Sequence, residues 1–352
     1  MRSARRWLTA KLTLAVRSAA PTMPDAGIRL FHAWLRKFGP TMPRLATLVR
    51  RNMRAVGLYS PTAHRAYFDQ AGLHLANILR IFKDVRRPEQ IAALARDQIG
   101  VDESIRHLRD ALSAGRGAVV AAPHVCNYVL TLARLNQEIP ITVYLRWSHE
   151  PRKQELKHDW CRAVGLPVIL EPPDAANPAG RAAACVEALR HGNALVMTPD
   201  IAQKDRDKGV PVRLFDHVPY LPAGPASIAM LAEAPLVPVF GRLEHSDPLD
   251  STAKKNSRFV RHVITAAPPI YVPTLSRAEG GRQMALHRAM QTWAVGFADF
   301  LRACPQAWFL WADSRWSRVF RGDPRYQGTL PSCNGSNCDC DAPAKLETEG
   351  SA

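Results

Sequence analysis

The sequence has no apolar stretch long enough to cross a bilayer, although 47% of its 352 residues are hydrophobic. The run from Leu12 to Val16 is bracketed by Lys11 and Arg17, whereas a spanning helix needs about 20 consecutive apolar residues. A secretory signal also needs a longer apolar core than this run provides. We therefore expect neither a transmembrane helix nor a signal peptide.

Motifs that would define several other classes of protein are missing as well. Residues 224–227 read GPAS and provide no G-x-S-x-G elbow, which argues against a serine hydrolase. No G-x-G-x-x-G follows the first predicted strand, so dinucleotide binding is not indicated. The seven cysteines include no Cys-x-x-Cys pair, so no zinc site is expected.

Acidic residues are scarce at the amino terminus, where the basic excess of the chain is concentrated. Residues 1–54 contain twelve lysines and arginines against a single acid, Asp25, and so carry +11 of the net charge of +16. Such an excess indicates an acidic partner. Because no aromatic stacking motif or reading helix accompanies it, we expect an anionic membrane surface rather than nucleic acid.

The segment at residues 27–39, GIRLFHAWLRKFG, has an amphipathic pattern. Ile28, Phe31, Leu35 and Phe38 share one face together with Trp34, and basic residues lie off that face; residues 7–16 repeat the pattern more weakly. This arrangement is typical of a helix that lies in the headgroup layer of a membrane. An ordinary amphipathic helix packed on the protein's own core is the alternative, and the local charge favours the membrane.

From residue 102 onward, short apolar runs alternate with helical patterns. The predicted strands cover residues 118–122, 141–146, 168–170, 194–197, 211–218, 236–243 and 259–266. This alternation indicates an α/β fold with a mostly parallel sheet flanked by helices. We expect a helical, basic, membrane-associating region at 1–100, an α/β domain at 101–320 and a disordered tail at 321–352.

Two of the buried-strand patterns end in side chains that can do chemistry. The strand at 118–122 is followed by His124, and the strand at 194–197 is followed by Asp200. In a parallel sheet, ligands bind outside the carboxyl ends of the strands, where loops and helix amino termini converge. A histidine and an aspartate at that edge form a candidate site.

Five blocks of sequence stand in an order that is typical of one enzyme family. They are PHVCNY at 123–128, TVYLR at 142–146, LRHGNALVMTPD at 189–200, GVPVRLF at 209–215 with LPAGPASIAMLAEAPLVPVF at 221–240, and PQAWFLWADSRW at 305–316. Together they resemble the lipid A biosynthesis acyltransferases, the late lauroyl and myristoyl transferases of the lysophospholipid acyltransferase superfamily. The resemblance covers about residues 45–320.

This resemblance implies a reaction and a set of partners. The enzyme would move a fatty acyl chain from an acyl carrier protein or coenzyme A thioester to a hydroxyl of a membrane (glyco)lipid, such as a lipid A precursor. His124 would take the proton from that hydroxyl as it attacks the thioester. The implied location is peripheral, on the cytoplasmic face of the cell inner membrane. No metal or redox cofactor and no nucleic acid is implied.

One departure from the family pattern affects this interpretation. The family's histidine is followed, five positions on, by Asp or Glu, and here that position is Val129. Loss of the acid that orients such a histidine costs about 10⁴-fold in rate. Asp200 could replace the missing acid, an easily deprotonated acceptor could make it unnecessary, or the protein could be an inactive relative that still binds lipid.

The matching blocks also supply candidate substrate-binding residues, which are Asn127, Arg146, Gly209, Arg213, Phe215 and Gly224. Asn127 could bond to the histidine ring or a substrate carbonyl, or be a turn residue. Arg146 could hold a phosphate or the developing oxyanion, or form an edge salt bridge. Arg213 could recruit an acidic carrier protein or lipid phosphates, although the interleaved acids favour a plain solvated loop. Phe215 could line an acyl channel, although most apolar residues in this part of the chain are expected in the core. The tryptophans at 308, 311 and 316 are expected at the membrane boundary or in ordinary packing.

Overall fold

The structure of the protein is a computed structural model. It describes residues 20–125, 127–145, 151–170, 178–204, 209–244, 261–274 and 281–331. The amphipathic pattern predicted at residues 7–16 and the candidate residue Arg146 lie outside the described residues.

Helices occupy most of the first hundred residues and then alternate with strands. In the part of the chain that the structure describes, the helices are α1 (Asp25–Phe38), α2 (Pro43–Ala55), α3 (Pro61–Lys83), α4 (Pro88–Gln98), α5 (Arg106–Ser113), α6 (Tyr128–Glu138), α7 (Pro151–Ala163), α8 (Pro178–Arg190), α9 (Gly224–Ala232), α10 (Gly281–Ala303) and α11 (Ser314–Val319). The start of α3 shows how the sequence fixes a helix end. The Ser60 hydroxyl accepts a hydrogen bond from the Ala63 N–H at 3.0 Å, and Pro61 needs no partner in the first turn.

The described strands form a seven-stranded sheet and a separate hairpin. They are β1 (Ile99–Val101), β2 (Ala118–Ala121), β3 (Ile141–Leu145), β4 (Val168–Leu170), β5 (Ala194–Met197), β6 (Gly209–Pro211), β7 (Tyr220–Pro222), β8 (Leu236–Glu244) and β9 (Arg261–Ala266). The order in the sheet is β1-β9-β8-β2-β5-β3-β4, and only the β8–β9 pair is antiparallel. The predicted α/β fold with a mostly parallel sheet and amino-terminal helices is confirmed.

Three details of the structure differ from the sequence-based prediction. The short edge strand β1 was not expected, because three residues are too few to show a periodicity. The strand predicted at 211–218 is wrong beyond Pro211, because the backbone turns between Leu214 and His217 and Phe215 has a φ of 54°, which an extended strand does not allow. The predicted disordered tail is wrong for residues 321–331, where Tyr326 is only 1% exposed. Residues 332–352 lie outside the described ranges.

The sheet is covered on both faces, as its strand sequences require. In β2, Val119 and Ala121 face a layer that includes α9 and α10, while Ala118 and Val120 face a layer that includes α5 and α6. Such strands read as continuous apolar runs because both sides are buried. In the register of the parallel pair, Ala121 lies opposite Met197, so the chain leaves β2 and β5 side by side at one edge of the sheet.

Helix α1 packs on α3 and leaves a second apolar face exposed. Ile28 is fully buried against α3, and Leu35 packs closely enough that a Cβ on Gly72 would lie 3.2 Å from its own Cβ. The prediction that this face meets the membrane is therefore wrong for Ile28. Leu30, Trp34 and Phe38 are instead 70%, 47% and 44% exposed. Among the described helices, none is long and apolar enough to span a bilayer.

Candidate active site

His124 and Asp200 meet where β2 and β5 end. The His124 Nδ1 lies 2.8 Å from the Asp200 Oδ1, and the main-chain N–H of His124 donates to the Asp200 Oδ2, also at 2.8 Å. An ionised carboxylate can only accept hydrogen bonds, so the ring proton lies on Nδ1. The lone pair of the ring is therefore on Nε2. The structure thus brings together the two residues that the strand ends pointed to.

Two tryptophans complete the hydrogen bonds of Asp200. The Trp308 indole N–H donates to the Oδ2 at 2.9 Å, and the Trp316 indole N–H donates to the Asp200 main-chain oxygen at 3.1 Å. The Asp200 side chain is 0% exposed. A buried carboxylate is tolerated only when it is paired and hydrogen-bonded, and these donors meet that requirement.

The environment favours the protonated form of the His124 ring. Burial opposes the charged ring, but the negative charge and hydrogen bond of Asp200 outweigh it and raise the pKa of His124 above its ordinary value. The side chain is still 30% exposed, so the ring is partly open to solvent. The Tyr128 ring packs against one side of the imidazole, with 5.3 Å between the two ring centroids.

A cation also lies close to this pair. Arg315 is near enough to lower the pKa of His124 slightly against the effect of Asp200. Its guanidinium Nε lies 3.0 Å from the Asp313 Oδ2, and its side chain is 39% exposed. Asp313 thereby fixes the direction of a partly accessible positive charge beside the site.

The candidate residue Asn127 has a structural partner rather than the histidine ring. It adopts a φ of 64° at the start of α6, a left-handed conformation that asparagine tolerates. Its Oδ1 accepts a hydrogen bond from the Asn77 Nδ2 at 2.7 Å, and its own Nδ2 is buried with no protein partner. Asn127 thus lies at the turn that leads into α6, and its Nδ2 is left for a substrate carbonyl in the proposal below.

The structure places the other predicted substrate-binding residues at varying positions around the edge of the sheet. Gly224 begins α9 and lies beside Met197, the residue three positions before Asp200 in the chain. A Cβ on Gly224 would lie 3.1 Å from the Met197 Cε. Gly209 pairs with Pro222 in the β6–β7 hairpin. The Arg213 main-chain N–H donates to the Gln291 Oε1 of α10 at 2.7 Å, and the Gln291 Nε2 donates back to the Arg213 main-chain oxygen at 3.0 Å.

The Phe215 ring lies beneath the guanidinium of Arg302, near the end of α10. The Arg302 guanidinium is 5.6 Å from the centre of its ring. This contact and those of Arg213 link the segment to α10, and neither brings it onto His124.

Sequence reasoning misplaced the tryptophans. Trp308, Trp311 and Trp316 are 0%, 0% and 1% exposed, and Trp308 packs edge to face against the other two. Of the two positions expected for them, the membrane boundary is therefore wrong and ordinary packing is confirmed. The one general signal in the sequence is that a buried indole N–H requires an acceptor, which does not say that this acceptor is Asp200.

Behind the histidine loop lies a second group of buried polar side chains that the sequence did not reveal. His74 and His262 are 7% and 1% exposed, and burial lowers the pKa of the first to about 3 and of the second to about 4. His74 Nδ1 and both ring nitrogens of His262 have no protein partner. Asn77 links this region to Gln98 at 2.6 Å. In the described ranges, no group of three or more His, Cys, Asp or Glu side chains is suited to a metal ion.

A model of one protein family matches most of the chain. The family is described as bacterial lipid A biosynthesis acyltransferase, and the match covers residues 1–271. The chain belongs to this acyltransferase family. Comparison with curated proteins gives no match. The matched part of this family member contains His124, Val129 and Asp200, whereas Trp308 and Trp316 lie beyond it.

Proposed function

We propose that the protein transfers a fatty acyl chain from an acyl carrier protein or coenzyme A thioester to a hydroxyl of a membrane (glyco)lipid such as a lipid A precursor. Membership of the lipid A acyltransferase family supports the reaction class. The single observation that carries the proposal is the 2.8 Å contact between the His124 Nδ1 and a buried carboxylate. It supplies the orienting acid that the family pattern lacks at position 129.

In the proposed reaction His124 acts first as a general base and then as a general acid. Asp200 holds the proton on Nδ1, so the Nε2 lone pair accepts the proton of the acceptor hydroxyl. The oxygen then forms a bond to the thioester carbonyl carbon. When the tetrahedral intermediate collapses, the C–S bond breaks and the Nε2 proton passes to the departing sulfur. The products are an ester and a free thiol.

The position of Asp200 favours an active enzyme over an inactive relative. A buried carboxylate that accepts three N–H donors costs stability unless every bond forms, and a protein without catalysis has no need of a histidine oriented in this way. Asp200 lies 2.8 Å from the ring and raises the pKa of His124 above its ordinary value, which supports an electrostatic link between the two side chains. An inactive lipid-binding protein remains the outcome that the assay below would reveal.

Substrate-binding roles for the remaining candidates belong to the same proposal. Gly224 allows close approach to the end of β5, and its position beside Met197 supports a role near the acyl chain. Arg315 supplies a partly exposed cation near His124 that suits a phosphate or the oxyanion. We assign Gly209, Arg213 and Phe215 to parts of the substrate that lie away from His124, and Arg146 to anion binding. The Asn127 Nδ2 is assigned to a substrate carbonyl.

We further propose that the exposed ridge of α1 attaches the protein peripherally to the cytoplasmic face of the cell inner membrane. Leu30, Trp34 and Phe38 are spaced four residues apart and so share a face. Exposed basic residues surround them on α1 and α2, namely Arg29, Arg36, Lys37, Arg44 and Arg51. Apolar side chains next to several cations match an anionic leaflet, where each cation adds about 1 kcal/mol.

Acyl transfer is tested with purified protein, radiolabelled acyl thioester and membrane lipid. We expect labelled lipid from the wild type and none from His124→Ala. A matched control is His191→Ala, because His191 is 67% exposed at the end of α8 and should be replaceable without effect. Equal turnover by His124→Ala would exclude the catalytic role, and no turnover by the wild type with any donor would favour the inactive relative.

Membrane attachment is tested with Trp34→Ser/Phe38→Ser rather than by deleting the segment, because Ile28 of the same helix is part of the core. Loss of two inserted aromatic side chains should weaken binding to anionic vesicles by about 100-fold or more. Tyr271→Ser is the control, since Tyr271 is 75% exposed elsewhere on the surface. Undiminished binding by the double variant would contradict the proposed attachment.

A further inference from the structure

The carboxylate of Asp200 is held by an indole that lies far away in the sequence. Trp308 is 108 residues from Asp200 and is completely buried, and its N–H donates to the Oδ2 at 2.9 Å. The other carboxylate oxygen is then left to face the His124 Nδ1. The orientation of the acid, and through it that of the ring, therefore depends on this indole.

Neighbouring buried tryptophans use their N–H groups differently. The Trp311 N–H donates to the Pro305 main-chain oxygen at 2.6 Å, and the Trp293 N–H donates to the Ala121 oxygen at 3.2 Å. These are neutral bonds that satisfy a buried donor. The Trp308 bond ends on a charged group, and such bonds are about twice as strong as neutral ones.

The segment that carries Trp308 also holds the histidine loop. Trp308 forms an isolated β-bridge with Val125, and the Phe309 N–H donates to the His124 main-chain oxygen at 2.9 Å. The Trp316 N–H fixes the main chain of Asp200 from the same region. Both members of the pair are thus attached to residues 308–316, which lie beyond the part of the chain that the family model matches.

We propose that Trp308 is a positioning residue, which fixes the rotamer of Asp200 so that its Oδ1 holds the His124 ring in the productive tautomer. This inference rests on the proposed function. Without the indole N–H, the Oδ2 keeps only the His124 main-chain donor, and the carboxylate is free to rotate away from the ring. Trp308 touches no substrate in this scheme and acts only through Asp200.

The test is to remove the N–H while keeping the ring. Benzothienylalanine at position 308 replaces the indole N–H by sulfur with little change in shape, and Trp308→Phe is a second variant. We expect kcat to fall by about 10- to 100-fold, as for other groups that orient a catalytic residue, while KM for both substrates stays unchanged. Trp311→Phe is the matched control and should leave kcat near the wild-type value.

A second readout does not depend on turnover. The hydrogen-bonded Nδ1 proton of His124 should give a low-field NMR signal in the wild type and in Trp311→Phe. We expect this signal to broaden or disappear with benzothienylalanine at 308. Unchanged kcat and signal, or equal losses at 308 and 311, would overturn the proposal. If the wild type transfers no acyl group but the signal still depends on the N–H, the proposed function fails and the positioning role stands.

Discussion

Replacing Asp200 by asparagine removes one charge and, because of how the carboxylate is held, also reverses the tautomer of His124. The Oδ2 position receives two N–H donors, from the His124 main chain and from Trp308. An amide NH₂ cannot occupy that position, so it must take the place of the Oδ1 and donate to the ring. The His124 Nδ1 then becomes an acceptor and the proton moves to Nε2, where the base is needed. Loss of the correct tautomer in a comparable site costs about 10⁴-fold in kcat.

The same variant should also change the pH dependence. The base form of His124 reacts, so kcat/KM rises with pH through the pKa of the ring, which Asp200 raises above its ordinary value. With asparagine, the largest effect that raises the pKa of the ring is lost, so burial dominates and the acid limb should move to lower pH. The assay is acyl transfer between pH 5 and 9, with Asp110→Asn as the control, since Asp110 is an exposed acid on α5. Activity within 10-fold of the wild type, or an unmoved acid limb, would refute this account of the site.

Two further predictions concern stability. His74 and His262, with pKa values of about 3 and about 4, stay neutral in the folded protein while the unfolded chain binds protons below about pH 6.5. The free energy of unfolding should therefore fall as the pH drops from 6.5 toward 4, by roughly 3 kcal/mol per ring at pH 4.5. Urea denaturation should show a smaller loss for His262→Leu than for the wild type, and an equal loss would contradict the assignment. Gly117 has a φ of 65°, and a Cβ there would lie 2.5 Å from the Leu189 main-chain oxygen. Gly117→Ala should lower the free energy of unfolding by about 3 kcal/mol or more. Gly115 also has a positive φ, of 76°, but a Cβ there would meet open space, so Gly115→Ala should cost only about 1 kcal/mol. Similar denaturation midpoints for the two variants would show that the close approach at Gly117 is unimportant.

The fold class could be predicted because buried strands carry an unmistakable local pattern. Residues 118–121 and 194–197 are continuous apolar runs, and both are central strands. The segment at 211–218 has a similar composition but turns at Phe215, and a positive φ at a phenylalanine leaves no mark in the sequence. Helix α1 has two apolar faces, and only packing against α3 decides which one is buried.

The candidate site could be predicted in part for a related reason. His124 and Asp200 each end a strand, so the geometry of a parallel sheet places them at one edge without further information. Their direct contact depended on strand order, in which β2 and β5 are neighbours although β3 and β4 lie between them in the chain. Trp308 and Trp316 reach Asp200 across more than 100 residues, and no local periodicity encodes such a contact.

The attachment of His124 and Asp200 to residues 308–316 has a consequence for biosynthesis. Trp308 and Trp316, which donate to Asp200, are synthesised only after every described strand of the sheet. Under the proposed function, the nascent chain would have the membrane-binding ridge of α1 before it has an oriented Asp200 and His124. If the proposed function holds, we expect a chain truncated after residue 304 to keep α1 and lose both indole donors to Asp200, and so to bind lipid without transferring acyl groups.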